Sequence, residues 1–141
     1  MSCKIMIETQ SNGATEKTYF DSQITDKVIG CAMAVHCSLG PGLLESVYET
    51  CLAFELEQAG MKVERQKPLP VQYKEIRFDE GFRLDLLVND KIIVELKCVE
   101  KILPIHEAQL YTYLKLSKKK VGLLINFNVK LLKDGITRVV C

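Results

Sequence analysis

Two neighbouring segments carry charged side chains where a strand buried on both faces would carry apolar ones. In Ile92-Ile93-Val94-Glu95-Leu96-Lys97-Cys98, the period of two puts Glu95 and Lys97 on one face and Val94 and Leu96 on the other. In the preceding segment, Phe82 to Val88, Arg83, Asp85 and Leu87 share one face while Leu84, Leu86 and Val88 share the opposite one. Ile93 and Leu87 flank the charges, which predicts a partly covered cleft and not an open solvated face. Register decides whether the carboxylates meet. A three-residue loop at Asn89-Asp90-Lys91 pairs Val88 with Ile92 and brings Asp85 opposite Glu95, with Lys97 opposite Arg83; a two-residue loop pairs Asp85 with Val94 and puts the carboxylates on opposite faces.

Two carboxylates held face to face repel and are costly without a cation. Mg²⁺ takes hard oxygen ligands, often one or two carboxylates completed by water and substrate phosphate, and such an ion acidifies bound water and stabilises charge on a phosphoryl group. A lysine two residues from the second carboxylate is well placed to hold the attacking water or to neutralise developing charge. On the strands alone, a solvated Arg83–Asp85–Glu95–Lys97 charge ladder explains the same residues equally well.

The ordered set Asp85, then Glu95-Leu96-Lys97, then a helix bearing Gln109, resembles the PD-(D/E)XK nuclease superfamily. Gly42-Leu43-Leu44-Glu45-Ser46-Val47-Tyr48 is similar to the motif that names the GxxExxY protein family, and Gly81-Phe82-Arg83-Leu84-Asp85, Val94-Glu95-Leu96-Lys97 and His106-Glu107-Ala108-Gln109-Leu110 resemble that family in the same order. The likeness runs from about Ile24 to the C-terminus. It implies an α/β fold with a restriction-endonuclease-like core: a mixed central sheet flanked by helices. It implies that Asp85 and Glu95 bind Mg²⁺, with Mn²⁺ as a substitute, and that the Leu96 backbone carbonyl is a third ligand. Glu45 would support the ion directly or through water, Lys97 would serve the water and phosphate, and Gln109 would orient substrate or water. Leu84 stands where the superfamily name has proline, a position that does no chemistry. The implied activity is hydrolysis of phosphodiester bonds in nucleic acid, DNA favoured over RNA. The alternatives are a nuclease fold that binds nucleic acid or protein without cutting, and a regulatory subunit.

Composition bounds these readings. The 141 residues suit one domain, with 48% hydrophobic and 26% charged residues. No apolar run approaches the roughly 20 residues of a membrane span, and Ile5-Met6-Ile7 is too short for a signal-peptide core, so the cytoplasm is the expected compartment. The six cysteines form no C-x-x-C pair, and most lie in apolar segments as small hydrophobes, which argues for reduced thiols over a zinc site. The net charge of +1 hides an asymmetry: residues 1–60 hold three Lys/Arg against eight Asp/Glu, and residues 61–141 hold sixteen against ten. A polyanion would meet the second half, near Lys115 and Lys118-Lys119-Lys120, although cations also suit a helix C-terminus by themselves.

The elements that must position the site follow from periodicity. Residues 1–22 read as a weakly patterned arm with a short strand near Lys4–Glu8 and a loop at Ser11-Asn12-Gly13; residues 23–141 read as the nuclease-like domain. A helix is expected from Thr25, with Val28, Ala32, Val35 and Leu39 facing inward, ended by Gly40-Pro41-Gly42. The next has Leu44, Val47, Tyr48, Cys51 and Leu52 on one face and stops at Gly60; Glu45 and Glu49, four apart, read there as a solvated pair. Leu69, Val71 and Tyr73 alternate in a strand that Pro68 and Pro70 assign to an edge. Pro104 opens a further helix to about Leu116, with Leu110 and Leu114 inward. On its other face lie His106, a helix-start residue, Gln109, and Tyr113, a cleft wall. Val121–Phe127 reads as a buried strand, and Asp134-Gly135 as the turn of a C-terminal β-hairpin between Val129–Lys133 and Ile136–Val140. If that hairpin ends the sheet, its edge could pair with a second copy in a two-fold homodimer.

Overall fold

The computed structural model describes residues 6–8 and 16–141, with side chains from Asp21 on. A short strand β1 (Met6–Glu8) precedes two helices, α1 (Glu16–Leu39) and α2 (Glu45–Gln58). Then come β2 (Val63–Tyr73), β3 (Ile76–Val88), β4 (Ile92–Lys97), α3 (Pro104–Ser117), β5 (Val121–Asn126), a 3-10 turn at Leu132–Gly135, and β6 (Ile136–Val140). The strands form one six-stranded sheet in the order β1-β6-β5-β4-β3-β2. The central β4 and β5 are parallel, and the other neighbours are antiparallel. This is the mixed, helix-flanked α/β sheet expected from the sequence.

Apolar layers cover both faces. On one, Val28 and Ala32 of α1 and Tyr48, Leu52 and Leu56 of α2 pack on Leu86, Val94, Leu96, Leu123 and Ile125. On the other, Leu110 and Leu114 of α3 cover Leu84, Leu87, Ile93 and Leu124. β5 is buried along its whole length, as its unbroken apolar run predicts. The site-bearing strand β4 thus lies in the middle of the sheet with a helical layer on each side.

The early residues of α2 are held by a loop lock. Gly40 and Gly42 take φ of 72° and 97°, in the left-handed range that favours glycine, and turn the chain out of α1. The Tyr48 hydroxyl donates to the Gly40 carbonyl and accepts from the Leu43 N–H, while its ring stacks on Phe127 at 4.5 Å between centroids. Leu44, expected to face inward beside Tyr48, is instead 74% exposed. It stands at the N-cap, ahead of the first helical turn, where the helical period does not yet govern direction.

Other differences each have a structural cause. α1 starts at Glu16 and not near Thr25, so it passes through the boundary expected at residue 22; the polar stretch before Thr25 has no period to read. Thr25 is no cap: its hydroxyl donates to the Ser22 carbonyl inside the helix at 3.0 Å. The loop expected at Ser11-Asn12-Gly13 lies outside the described residues. The C-terminal antiparallel pair exists, but its arms are β5 and β6. Val129–Lys133, expected as an arm, is instead loop as far as Leu131 and then the start of the 3-10 turn. His36 Nε2 lies 2.8 Å from the Val129 carbonyl, Leu132 is buried in the core, and a Cβ on Gly135 would stand 2.2 Å from the Asn126 carbonyl oxygen. The segment therefore folds down on the end of β5 and cannot extend. The outer side of β6 is paired with β1, so the free edge expected there is filled by the chain itself.

β2 is the sheet edge, as its prolines predict. Both it and β3 start six residues earlier than expected, β2 at Val63 and β3 at Ile76, just after a turn at Lys74-Glu75. Tyr73, Ile76 and Phe78 of this ribbon are all exposed. Leu69 and Val71 keep the expected alternation, half-buried between exposed neighbours, whereas the tip from Tyr73 to Phe78 has no core against it to impose one.

Candidate active site

The β3–β4 turn sets the register. Asn89 and Asp90 adopt left-handed φ of 51° and 55°, a conformation their short polar side chains tolerate, and the Lys91 N–H donates to the Val88 carbonyl at 3.0 Å. Val88 pairs with Ile92, Leu87 with Ile93 and Leu86 with Val94. This is the three-residue-loop register, and it brings Asp85 opposite Glu95.

At that point the backbone ladder stops, and the carboxylates take its place. The Asp85 N–H donates to Glu95 Oε1 at 3.1 Å, and the Leu96 N–H donates to Asp85 Oδ2 at 3.0 Å. Each strand thus presents a backbone donor to the acidic side chain of the other. Because the N–H and C=O of one residue leave a strand on the same edge, the Leu96 carbonyl shares the edge that faces Asp85. The Lys97 carbonyl lies on the opposite edge and accepts from the Phe127 N–H at 3.0 Å.

The period of two also breaks here. Leu84, expected on the same face as Leu86 and Val88, belongs to the α3-side layer, whereas Leu86 and Val88 belong to the α1/α2-side layer. The strand is distorted around Asp85, where its partner on β2, Gln66, has a left-handed φ of 48° and drops out of the ladder between Arg65/Leu86 and Lys67/Leu84.

Glu95 is 4% exposed. Burial, and then the charge and hydrogen bonding of Asp85, push its carboxyl up to about 9. In the absence of a cation it therefore carries a proton at neutral pH. A charge ladder does not describe the site: Arg83 is exposed, and no ion pair joins Arg83, Asp85, Glu95 and Lys97 among the described residues. The oxygens of Asp85 and Glu95, with the Leu96 carbonyl, are hard donors of the type Mg²⁺ prefers. A divalent ion there would replace the proton that the buried Glu95 carboxyl otherwise carries.

Glu45 stands in the first turn of α2 and is exposed. Partial burial and the charges of Asp85 and Glu49 raise its carboxyl, and the Lys97 ammonium opposes the rise. Its electrostatic reach to both Asp85 and Lys97 puts α2 at the mouth of the site. Even so, no three His, Cys, Asp or Glu side chains among the described residues converge closely enough to hold an ion by themselves. The convergent set is a pair of carboxylates with Glu45 outside it. Lys97 is half-buried at the end of β4.

From the other layer, α3 presents Tyr113, which stacks on Phe82 at 4.9 Å between centroids. Burial, then the negative charges of Glu95 and Asp85, push its hydroxyl up, which places Tyr113 within electrostatic reach of the carboxylate pair. Gln109, one turn earlier on the same face, is exposed. His106 acts at the helix start, its Nδ1 accepting the Leu103 N–H at 3.0 Å. In the lysine run, Lys119 is tied to Asp90 at 3.2 Å, bracing the β3–β4 turn.

Two residues at the site were not legible in the sequence. Glu49, read as solvated, is 7% exposed and binds Arg65 Nη2 at 3.1 Å. Gln66 donates through Nε2 to Glu49 and, at 3.3 Å, to Asp85 Oδ1. The i, i+4 spacing of Glu45 and Glu49 put both on one helix face, but nothing in the polar run around Gln66 marked it.

The sequence profile of the PD-(D/E)XK nuclease superfamily matches residues 22–139, most of the chain. The chain belongs to that superfamily, whose members are typically nucleases, and the match begins where the sequence resemblance does. No curated protein and no solved structure matches it.

Proposed function

We propose that this protein is a Mg²⁺-dependent nuclease that hydrolyses phosphodiester bonds in DNA, and that it is of the GxxExxY type within its superfamily. The observation that carries this reading is the Asp85–Glu95 pair, bonded crosswise to the opposing backbones where the β3–β4 ladder ends. A buried carboxyl, Glu95, beside the half-buried Asp85 at a ladder break is costly unless a cation is shared between them. Asp85, Glu95 and the Leu96 carbonyl would hold the ion, with Glu45 reaching it directly or through water. When bound, the ion would supply charge stabilisation at a phosphoryl oxygen and acidify a coordinated water. Lys97, two residues beyond Glu95 on the same face, would hold the phosphate and offset its growing charge. Gln109 would contact substrate from α3, and Tyr113 would wall the cleft.

The test is a cleavage assay on single-stranded, duplex, flapped and four-way-junction DNA, and on RNA, with Mg²⁺ or Mn²⁺. Metal-dependent cutting of DNA that EDTA and Asp85→Asn both abolish is the expected result. Cutting that persists in EDTA would overturn the mechanism. Salt-sensitive binding without cutting on every substrate would instead favour a non-cleaving nucleic-acid-binding role.

A further inference from the structure

We propose that Gln66 is a positioning residue for Asp85, acting through a bridge that runs from Arg65 through Glu49 and Gln66 to the Asp85 carboxylate. The inference rests on the reading of Asp85 as a cation ligand. Its geometry stands independently of that reading. Gln66 Nε2 donates both to Glu49 and to Asp85 Oδ1, the latter at 3.3 Å. Asp85 Oδ2 accepts from the Leu96 N–H at 3.0 Å. With both oxygens anchored, the carboxylate plane is set, and each oxygen keeps a lone pair for a further partner.

The chemistry at position 66 is specific. Both groups it touches are carboxylates, so a neutral side chain with two N–H donors satisfies both, and an acceptor would satisfy neither. Glu49 is 7% exposed and has its charge matched by Arg65 Nη2 at 3.1 Å, the same nitrogen that reaches Thr50 Oγ1 at 2.8 Å. The far end of the bridge is therefore fixed on α2. The backbone is committed as well: Gln66 has a φ of 48°, which L side chains rarely adopt, and it leaves the ladder while Arg65/Leu86 and Lys67/Leu84 on either side keep register. Strained backbone of this kind gathers at functional sites. A glycine would take that backbone without strain, but it would carry no bridge.

Gln66→Gly separates the two roles, because it relieves the backbone and removes the side chain. In metal-free protein, urea denaturation of the wild type, Gln66→Gly, Asp85→Asn and the double variant forms a cycle, and non-additive changes are expected because the side chains are in contact. Calorimetric titration with Mn²⁺ should then show affinity about 10- to 100-fold weaker for Gln66→Gly, as is typical for loss of a group that orients a ligand, while its metal-free stability is held or raised. An additive cycle would overturn the bridge. Unchanged Mn²⁺ affinity in Gln66→Gly, beside normal binding by the wild type, would overturn the positioning role and leave the proposed nuclease intact. A wild type that takes up no Mn²⁺ would sink the nuclease reading and the positioning role with it, and the cycle would still decide the bridge.

Discussion

Buried beside Asp85, Glu95 holds its carboxyl at about 9, and stability must follow that displacement. The folded value lies above the unfolded one, so the folded chain keeps a proton that the unfolded chain gives up. The associated stability is complete below the ordinary carboxylate value of 4.5 and is lost as pH rises towards about 9. The slope is at most about 1.4 kcal/mol per pH unit for one proton. Glu95→Gln is neutral at every pH, so in EDTA its stability should be flatter across this window, and it should exceed the wild type at the alkaline end. Urea denaturation at a series of pH values measures this, and a parallel pair of curves would refute it. Lys97 calls for a different readout. If it acts on charge that develops during the reaction, Lys97→Ala should lower cleavage by roughly 100-fold or more while Mn²⁺ affinity persists, because its benefit appears in the transition state. Comparable losses of affinity and rate would instead make Lys97 a ground-state group.

At the scale of elements, the connection between α1 and α2 decides where Glu45 is presented. The Tyr48 hydroxyl bonds both ends of that loop, at the Gly40 carbonyl and the Leu43 N–H. Tyr48→Phe keeps the ring stacked on Phe127 and removes only those bonds. It should cost about 1–3 kcal/mol of stability, the usual range for leaving such groups unpaired, and urea unfolding with unchanged m-value would show it. The spacing of glycine, glutamate and tyrosine in this motif thus has a mechanical meaning: Gly42 turns the chain, Tyr48 locks the turn, and Glu45 is held in the first helical turn between them. The helices and the buried strand β5 were readable because one face of each is pressed on the core. The tip of the β2–β3 ribbon and the loop over the end of β5 were not, since the first has no core against it and the second is shaped by long-range contacts such as His36 with Val129.

For the whole molecule, the expected signature of the site is stabilisation by metal. Ligand that binds only the folded chain adds about 2.7 kcal/mol at 100 times its Kd, so Mn²⁺ at that excess should raise Tm by several degrees, roughly 2–8 °C per kcal/mol for domains of such size. Asp85→Asn should remove most of that gain, and equal melting with and without Mn²⁺ in the wild type would refute the site. Among the described residues no helix is long and apolar enough to cross a membrane.

The sequence by itself determined the order of the main elements, the edge position of β2 and the buried β5, all of which depend on local period. It left two registers open for Asp85 and Glu95, and the left-handed turn at Asn89-Asp90 in the folded chain decided between them. Only the tertiary structure decided that the ladder ends at Leu86 and Val94, that Leu84 turns to the other layer, and that Glu49 and Gln66 close on Asp85. Those outcomes depend on α2, β2, β3 and β4 meeting at one point. Contacts between segments so far apart in the chain leave no periodic mark on any one of them.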